Sequence, residues 1–175
     1  WTAGQTGLRR RDPSGNWSPV ASGSYDRGDR LLSLAFGDPV IDGDPTLWIG
    51  GERGLDRFSP RTAGPERVFS GAVVSGVLPV AGGAWAATSR GLVFVDTAGV
   101  VAPAADVPTI PACAIVGDGE IAWAGVDRNV WQRDSASGWR RDPQGGRQLI
   151  PFPARPGHPC HRRGLKPRGA CARSR

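Results

Sequence analysis

The chain has 175 residues and a formal net charge of +6, with Lys+Arg 22 against Asp+Glu 16. A hydrophobic share of 39% is too high for a wholly disordered chain, and 26 Gly with 16 Pro argue against long helices. No apolar run reaches the roughly 20 residues that a membrane helix needs.

The charge is unevenly placed. Residues 1–142 hold 14 Arg, no Lys and all 16 acidic residues, for a net of −2, whereas residues 143–175 hold seven Arg and Lys166 without an acid, for +8. The later stretch also carries six Pro, five Gly, His158, His161 and two of the three Cys. Such a shift marks a boundary near Gly145 to Pro156 and separates a body, 1–145, from a basic tail, 146–175. The tail is expected to be disordered or the product of a frameshift near Phe152 to Pro159, because a GC-rich gene read out of frame yields Arg, Pro, Gly and Ala. The pI near 10.5 would suit nucleic acid. Phe152 is the only aromatic residue of the tail, so a base-stacking surface is missing and nucleic acid is not the expected partner. Met is absent and the chain opens on Trp1, so it is expected to begin inside a gene product.

A repeat runs through the body. Trp1, Trp48, Trp85 and Trp123 are followed six residues later by Gly7, Gly54, Gly91 and Asn129, and then by Leu8, Leu55, Leu92 and Val130. The tryptophans are 47, 37 and 38 residues apart. In the first unit, Trp1 opens a strand, Leu8 to Arg11 forms the next, and an outer strand follows the turn Asp12-Pro13-Ser14-Gly15 near Trp17. The second unit adds an inner strand, Leu31 to Phe36, before Leu47 to Gly50, Leu55 to Phe58 and an outer strand near Arg67. The third has Val73 to Val80, Ala84 to Ala87, Leu92 to Val95, a turn at Asp96 to Gly99, and an outer strand near Val100. The fourth has Pro111 to Val116, a hairpin turn at Asp118-Gly119, Ile121 to Ala124, Val130 to Arg133, and an outer strand near Trp139. Gly146 to Pro153 is a candidate inner strand of a fifth.

Two residues past each Trp, on the same strand face, sit Ala3, Gly50, Ala87 and Gly125, so each indole lies beside a small residue suited to close sheet packing. The Gly or Asn that follows is expected at positive φ in a tight hairpin. Four antiparallel strands recurring about every 40 residues are the signature of a β-propeller blade. The expected fold is therefore an all-β propeller fragment of four-stranded antiparallel blades. It would comprise a partial blade at 1–20 and blades at about 29–70, 71–103 and 109–142. Such a fragment cannot close a ring of the usual four to eight blades, and its exposed faces should make it fold poorly or oligomerise alone.

The stretch Leu47-Trp48-Ile49-Gly50-Gly51-Glu52-Arg53-Gly54-Leu55-Asp56-Arg57-Phe58 resembles the two-component regulator propeller repeat, whose core is L-W-I-G-T-x-x-G-L followed by an aromatic residue and Asp-Pro. Gly51 replaces the Thr and Ser59-Pro60 the Asp-Pro, which the first unit keeps as Asp12-Pro13. The third and fourth units are looser. This resemblance, over about residues 1–142, implies a ligand-sensing or interaction propeller on the periplasmic or extracellular side of a hybrid sensor kinase or related regulator. Its partners would be a small ligand or a protein, with further blades and signalling domains of the same protein. The repeat is structural and implies no catalytic residues and no cofactor. A secreted propeller enzyme, glycosidase-like or lyase-like, or a propeller assembly factor is the alternative.

The hairpin residues before each Gly or Asn are Arg53, Arg90 and Arg128, with Thr6 in the first unit. Equivalent turns lie on one face, so these arginines form an arc suited to carboxylate or phosphate. The plainer reading, exposed polar tips in an Arg-rich sequence, carries more weight. Glu52 and Asp127 are expected to neutralise two of them. Asp38, Asp42 and Asp44 sit in the insertion that lengthens the second unit, where turn chemistry outweighs calcium because no EF-hand spacing is present. His158, Cys160, His161 and Cys171 lack the paired spacing of a structural zinc site, so no metal is expected. Cys113 reads as a buried small hydrophobe on an inner strand.

Overall fold

A computed structural model describes residues 1–4, 7–20, 29–41, 44–59, 64–118, 120–134 and 136–143. Within them fifteen strands follow in chain order. They are β1 Thr2–Gly4, β2 Gly7–Arg11, β3 Trp17–Pro19, β4 Leu31–Ile41, β5 Asp44–Gly51, β6 Gly54–Phe58, β7 Glu66–Ser70, β8 Val74–Val80, β9 Gly83–Thr88, β10 Gly91–Asp96, β11 Val101–Pro103, β12 Ala112–Gly117, β13 Ile121–Val126, β14 Asn129–Asp134 and β15 Gly138–Arg141. They form one three-stranded sheet, β1-β2-β3, and three four-stranded sheets, β4-β5-β6-β7, β8-β9-β10-β11 and β12-β13-β14-β15. Every pairing is antiparallel between sequence neighbours. The fold is an all-β stack of propeller blades. The calls on residues 146–175 lie outside the described residues.

The blades face the same way. A Cβ on Gly37, near the end of β4, would fall 2.2 Å from Pro79 near the end of β8, and one on Gly50, opposite the start of β4, would fall 2.8 Å from Val74 at the start of β8. The innermost strands β4 and β8 therefore run side by side in one direction. Glycine at 50 lets the second blade approach the third within a distance no side chain there would permit.

Each repeat tryptophan is keyed into the blade that follows it. Trp1 packs against Leu47, Ile49 and Phe58 of the second blade. Trp48, 0% exposed, packs with Ala84, Ala86 and Val95 of the third. Trp85, 9% exposed, packs with Ala122 and Ala124 of the fourth. Leu47 and Ile49, Ala84 and Ala86, and Ala122 and Ala124 flank the next Trp and point to the opposite sheet face, as the period of two requires, while Phe58 and Val95 join that face as cross-strand partners of Leu47 and Ala84. Trp123, the fourth member, has no described blade beyond it and is 40% exposed. The indole pattern is thus the inter-blade contact itself.

Inner strands share a further feature that the sequence did not announce. Each carries a β-bulge at its start, between Leu31 and Ser33, Val74 and Gly76, and Ala112 and Ala114. Ser75, in the second of these bulges, donates to the carbonyls of Ala87 and of Ala112 in the next blade, both at 3.2 Å. Cys113 occupies the equivalent place in the third and donates to Gly125 O at 3.4 Å. Cys113 is exposed, not buried as expected, because the face that would receive it meets no further described blade. The insertion of the second unit is an extension of the β4–β5 hairpin, with Asp38 and Asp44 on its strands; Asp42 lies outside the described residues.

A charged cluster ties the second blade together. Arg67 on β7 hydrogen-bonds Asp56 on β6 through Nε and, at 3.2 Å, through Nη2, and reaches Asp29 Oδ2 at 3.2 Å. Asp29 is 1% and Asp56 2% exposed. Burial weakens the Arg67 charge, yet its hydrogen bonds and attraction to Asp56 and then Asp29 outweigh this and raise its pKa.

Candidate functional site

Two-residue hairpins join the second and third strands of each blade. Gly4 pairs with Gly7, Gly51 with Gly54, Thr88 with Gly91 and Val126 with Asn129, which leaves Arg53, Arg90 and Arg128 at the second loop position. Thr6, their counterpart in the first unit, lies outside the described residues. Gly7, Gly54 and Gly91, the first residue after each loop, have φ of 91, 145 and 121°, a backbone that favours glycine. Asn129 departs from the expected positive φ. The fourth hairpin takes its left-handed residue earlier, at Asp127 with φ 55°, a conformation Asp also tolerates.

The tips are stitched to the chain entering each blade. The amides of Glu52, Ser89 and Asp127 donate to the carbonyls of Arg30, Val73 and Pro111 at 3.1, 2.9 and 3.1 Å. Thr88, buried, fixes the third tip by donating to Gly91 O at 2.7 Å and accepting from the Arg90 amide at 3.0 Å. Because the blades share one orientation, hairpins and connections lie on one face of the stack. Arg53, Arg90 and Arg128 are all exposed there. Glu52 pairs with Arg30 at 3.4 Å, and this exposed pair contributes little. Among the described residues neither Arg90 nor Arg128 pairs with a carboxylate. The face presents cations from successive blades and can hold an anionic group on a ligand or protein.

Sequence reasoning missed the opposite end of the stack. There Phe36, Gly37, Leu78 to Ala81, Gly117, Asp118 and Glu120, from the inner-strand ends of three blades, line a cleft of 520 Å³. Phe36 is half exposed in it. The Asp118 carboxylate accepts from the amides of Ile121 at 3.0 Å and Glu120 at 3.1 Å, which hold its pKa below the usual value. Only the inner-strand boundaries could have pointed to this site, and the three strands that build it, Leu31–Ile41, Val74–Val80 and Ala112–Gly117, lie far apart in the chain. No group of three or more His, Cys, Asp or Glu is placed to hold a metal among the described residues. Among them, no helix is long and apolar enough to cross a membrane.

The blade arrangement is similar to two solved structures. Both are described as the extracellular domain of BT4673 from B. thetaiotaomicron, proposed as a one component system in one and as a hybrid two component system in the other. The likeness has TM-scores of 0.59 and 0.58 at 20% identity, over 74% and 73% of this chain. The chain spans 19% of the length of each. No protein-family profile and no curated protein sequence matches the chain.

Proposed function

We propose that the chain is part of an extracytoplasmic sensing or interaction propeller of a two-component regulator. The observation that carries this reading is the blade stack itself, similar over 74% of the chain to the extracellular domain of BT4673. The repeat core at Leu47 to Phe58 supports it from the sequence side. In this reading the blades bind a ligand or protein on the face carrying Arg53, Arg90 and Arg128, and neighbouring domains of the same protein carry the signal. Placement is tested with Ala98→Cys, in an exposed turn between β10 and β11. A membrane-impermeant maleimide should label this variant in intact cells with a permeabilised outer envelope. Labelling only after the inner membrane is broken would sink the reading.

A further inference from the structure

A second cleft, of 460 Å³, opens between the third and fourth blades. Val80 and Ala81 come from the β8–β9 hairpin, Trp85 and Phe94 from β9 and β10, Ala102 and Pro103 from β11, and Arg133 from β14. Its size is that of a small-molecule site, and Arg133 is the one charged side chain among otherwise apolar lining side chains. Trp85 and Phe94 lie 5.2 Å apart between ring centroids, and Trp139 backs Trp85 edge-on at 5.4 Å. The Arg133 guanidinium stands 5.4 Å from the centre of the Trp85 ring.

The charge balance identifies the ligand class. Arg133 is half buried, and its neighbour Asp134 is engaged by Arg140 at 3.7 Å and by Ser137. Among the described residues, Arg133 pairs with no carboxylate. A guanidinium resting only on an indole, beside an aromatic and aliphatic wall, lacks the anion its five donors are shaped to hold. The corresponding indole of the second blade, Trp48, is fully enclosed.

We propose that this cleft binds a small amphipathic anion, with its carboxylate on Arg133 and a planar apolar body against Trp85, Phe94 and Pro103. The cleft lies apart from the face of Arg53, Arg90 and Arg128, so the inference goes beyond the proposed sensing face and shares with that reading only the premise that the blades bind a ligand.

Phenylacetate and its uncharged isostere phenylacetamide serve as probes, with binding to the full chain, in the assembly it takes in solution, followed by ligand-observed NMR and calorimetry. Phenylacetate should bind at least about tenfold more tightly than phenylacetamide, since a charge-assisted pair is lost in the amide. Arg133→Gln should weaken phenylacetate about tenfold or more and leave phenylacetamide unchanged, while Arg133→Lys should retain part of the preference. Equal binding of both probes, indifference to Arg133→Gln, or no binding at millimolar probe would overturn the proposal. The comparison of the two probes on the unaltered protein stands even where a variant does not fold. Because no cellular output is read, failure here is separate from failure of the maleimide experiment.

Discussion

Gly54 and Gly91 occupy equivalent hairpin positions but face different surroundings. At Gly54, φ is +145° and a Cβ would sit 1.9 Å from the Phe69 carbonyl oxygen, whereas at Gly91, φ is +121° and the nearest atom would be 3.4 Å away. Gly54→Ala therefore combines backbone strain with a collision against another strand. It should cost about 3 kcal/mol, against about 1 kcal/mol for Gly91→Ala, as read from urea unfolding midpoints. Equal losses would show that φ alone decides. The turn carboxylates give a second test at this scale. Asp12 accepts from the Asn16 amide, Asp118 from Ile121 and Glu120, and Asp134 from the Ser137 hydroxyl and amide, and each has its pKa held below 3.8. A depressed folded pKa means that the folded state binds fewer protons than the unfolded state as the group titrates. Their stabilisation is thus complete above about pH 4 and lost as pH falls through the folded values. Thermal melts between about pH 6 and 2 should show this loss, and the triple Asp→Asn variant should show a shallower acid dependence. An unchanged acid slope in that variant would refute the assignment.

At the scale of the element, the strands were largely legible because tryptophan, small residue and hairpin glycine recur in fixed order. The cross-strand chemistry was not. Asp56 and Arg67 are 11 residues apart and Asp29 and Arg67 are 38 apart, so neither pair leaves a periodic trace. The bulges escaped for a similar reason: a one-residue register shift changes no residue type. Cys113 sits in such a bulge like Ser75, but no described blade covers it, so its exposure was not legible from the inner strand alone. Asn129 departs because the fourth hairpin takes its left-handed residue at the first loop position, Asp127, two residues earlier. The arginine tips were legible as a set, since repeat register and face coincide, while the clefts were not, being assembled from several blades at once. The cluster in the second blade carries a prediction of its own. Asp56→Ala would leave Arg67, 30% exposed, facing Asp29 alone, at a cost of roughly 2–3 kcal/mol measured by denaturant unfolding. A loss under about 0.5 kcal/mol would mean that solvent already screens the group.

Across the whole molecule, one contact is repeated: the indole of each blade enters the face of the next. Trp123 continues the series without a described recipient, with Val116 and Ile121 exposed beside it. An apolar face of this kind drives association, so the isolated chain should oligomerise or fold poorly. A monodisperse monomer that melts cooperatively would contradict this. The interlock itself is tested most directly by comparing Trp48→Ala with Trp123→Ala in denaturant unfolding of the same chain. Trp48→Ala should cost about 3–5 kcal/mol, the range for deleting a buried large side chain. Trp123→Ala should cost less than about 1 kcal/mol while reducing self-association, because its indole is already partly in water. Equal losses from the two substitutions, or a larger loss at Trp123, would contradict the keyed blade stack.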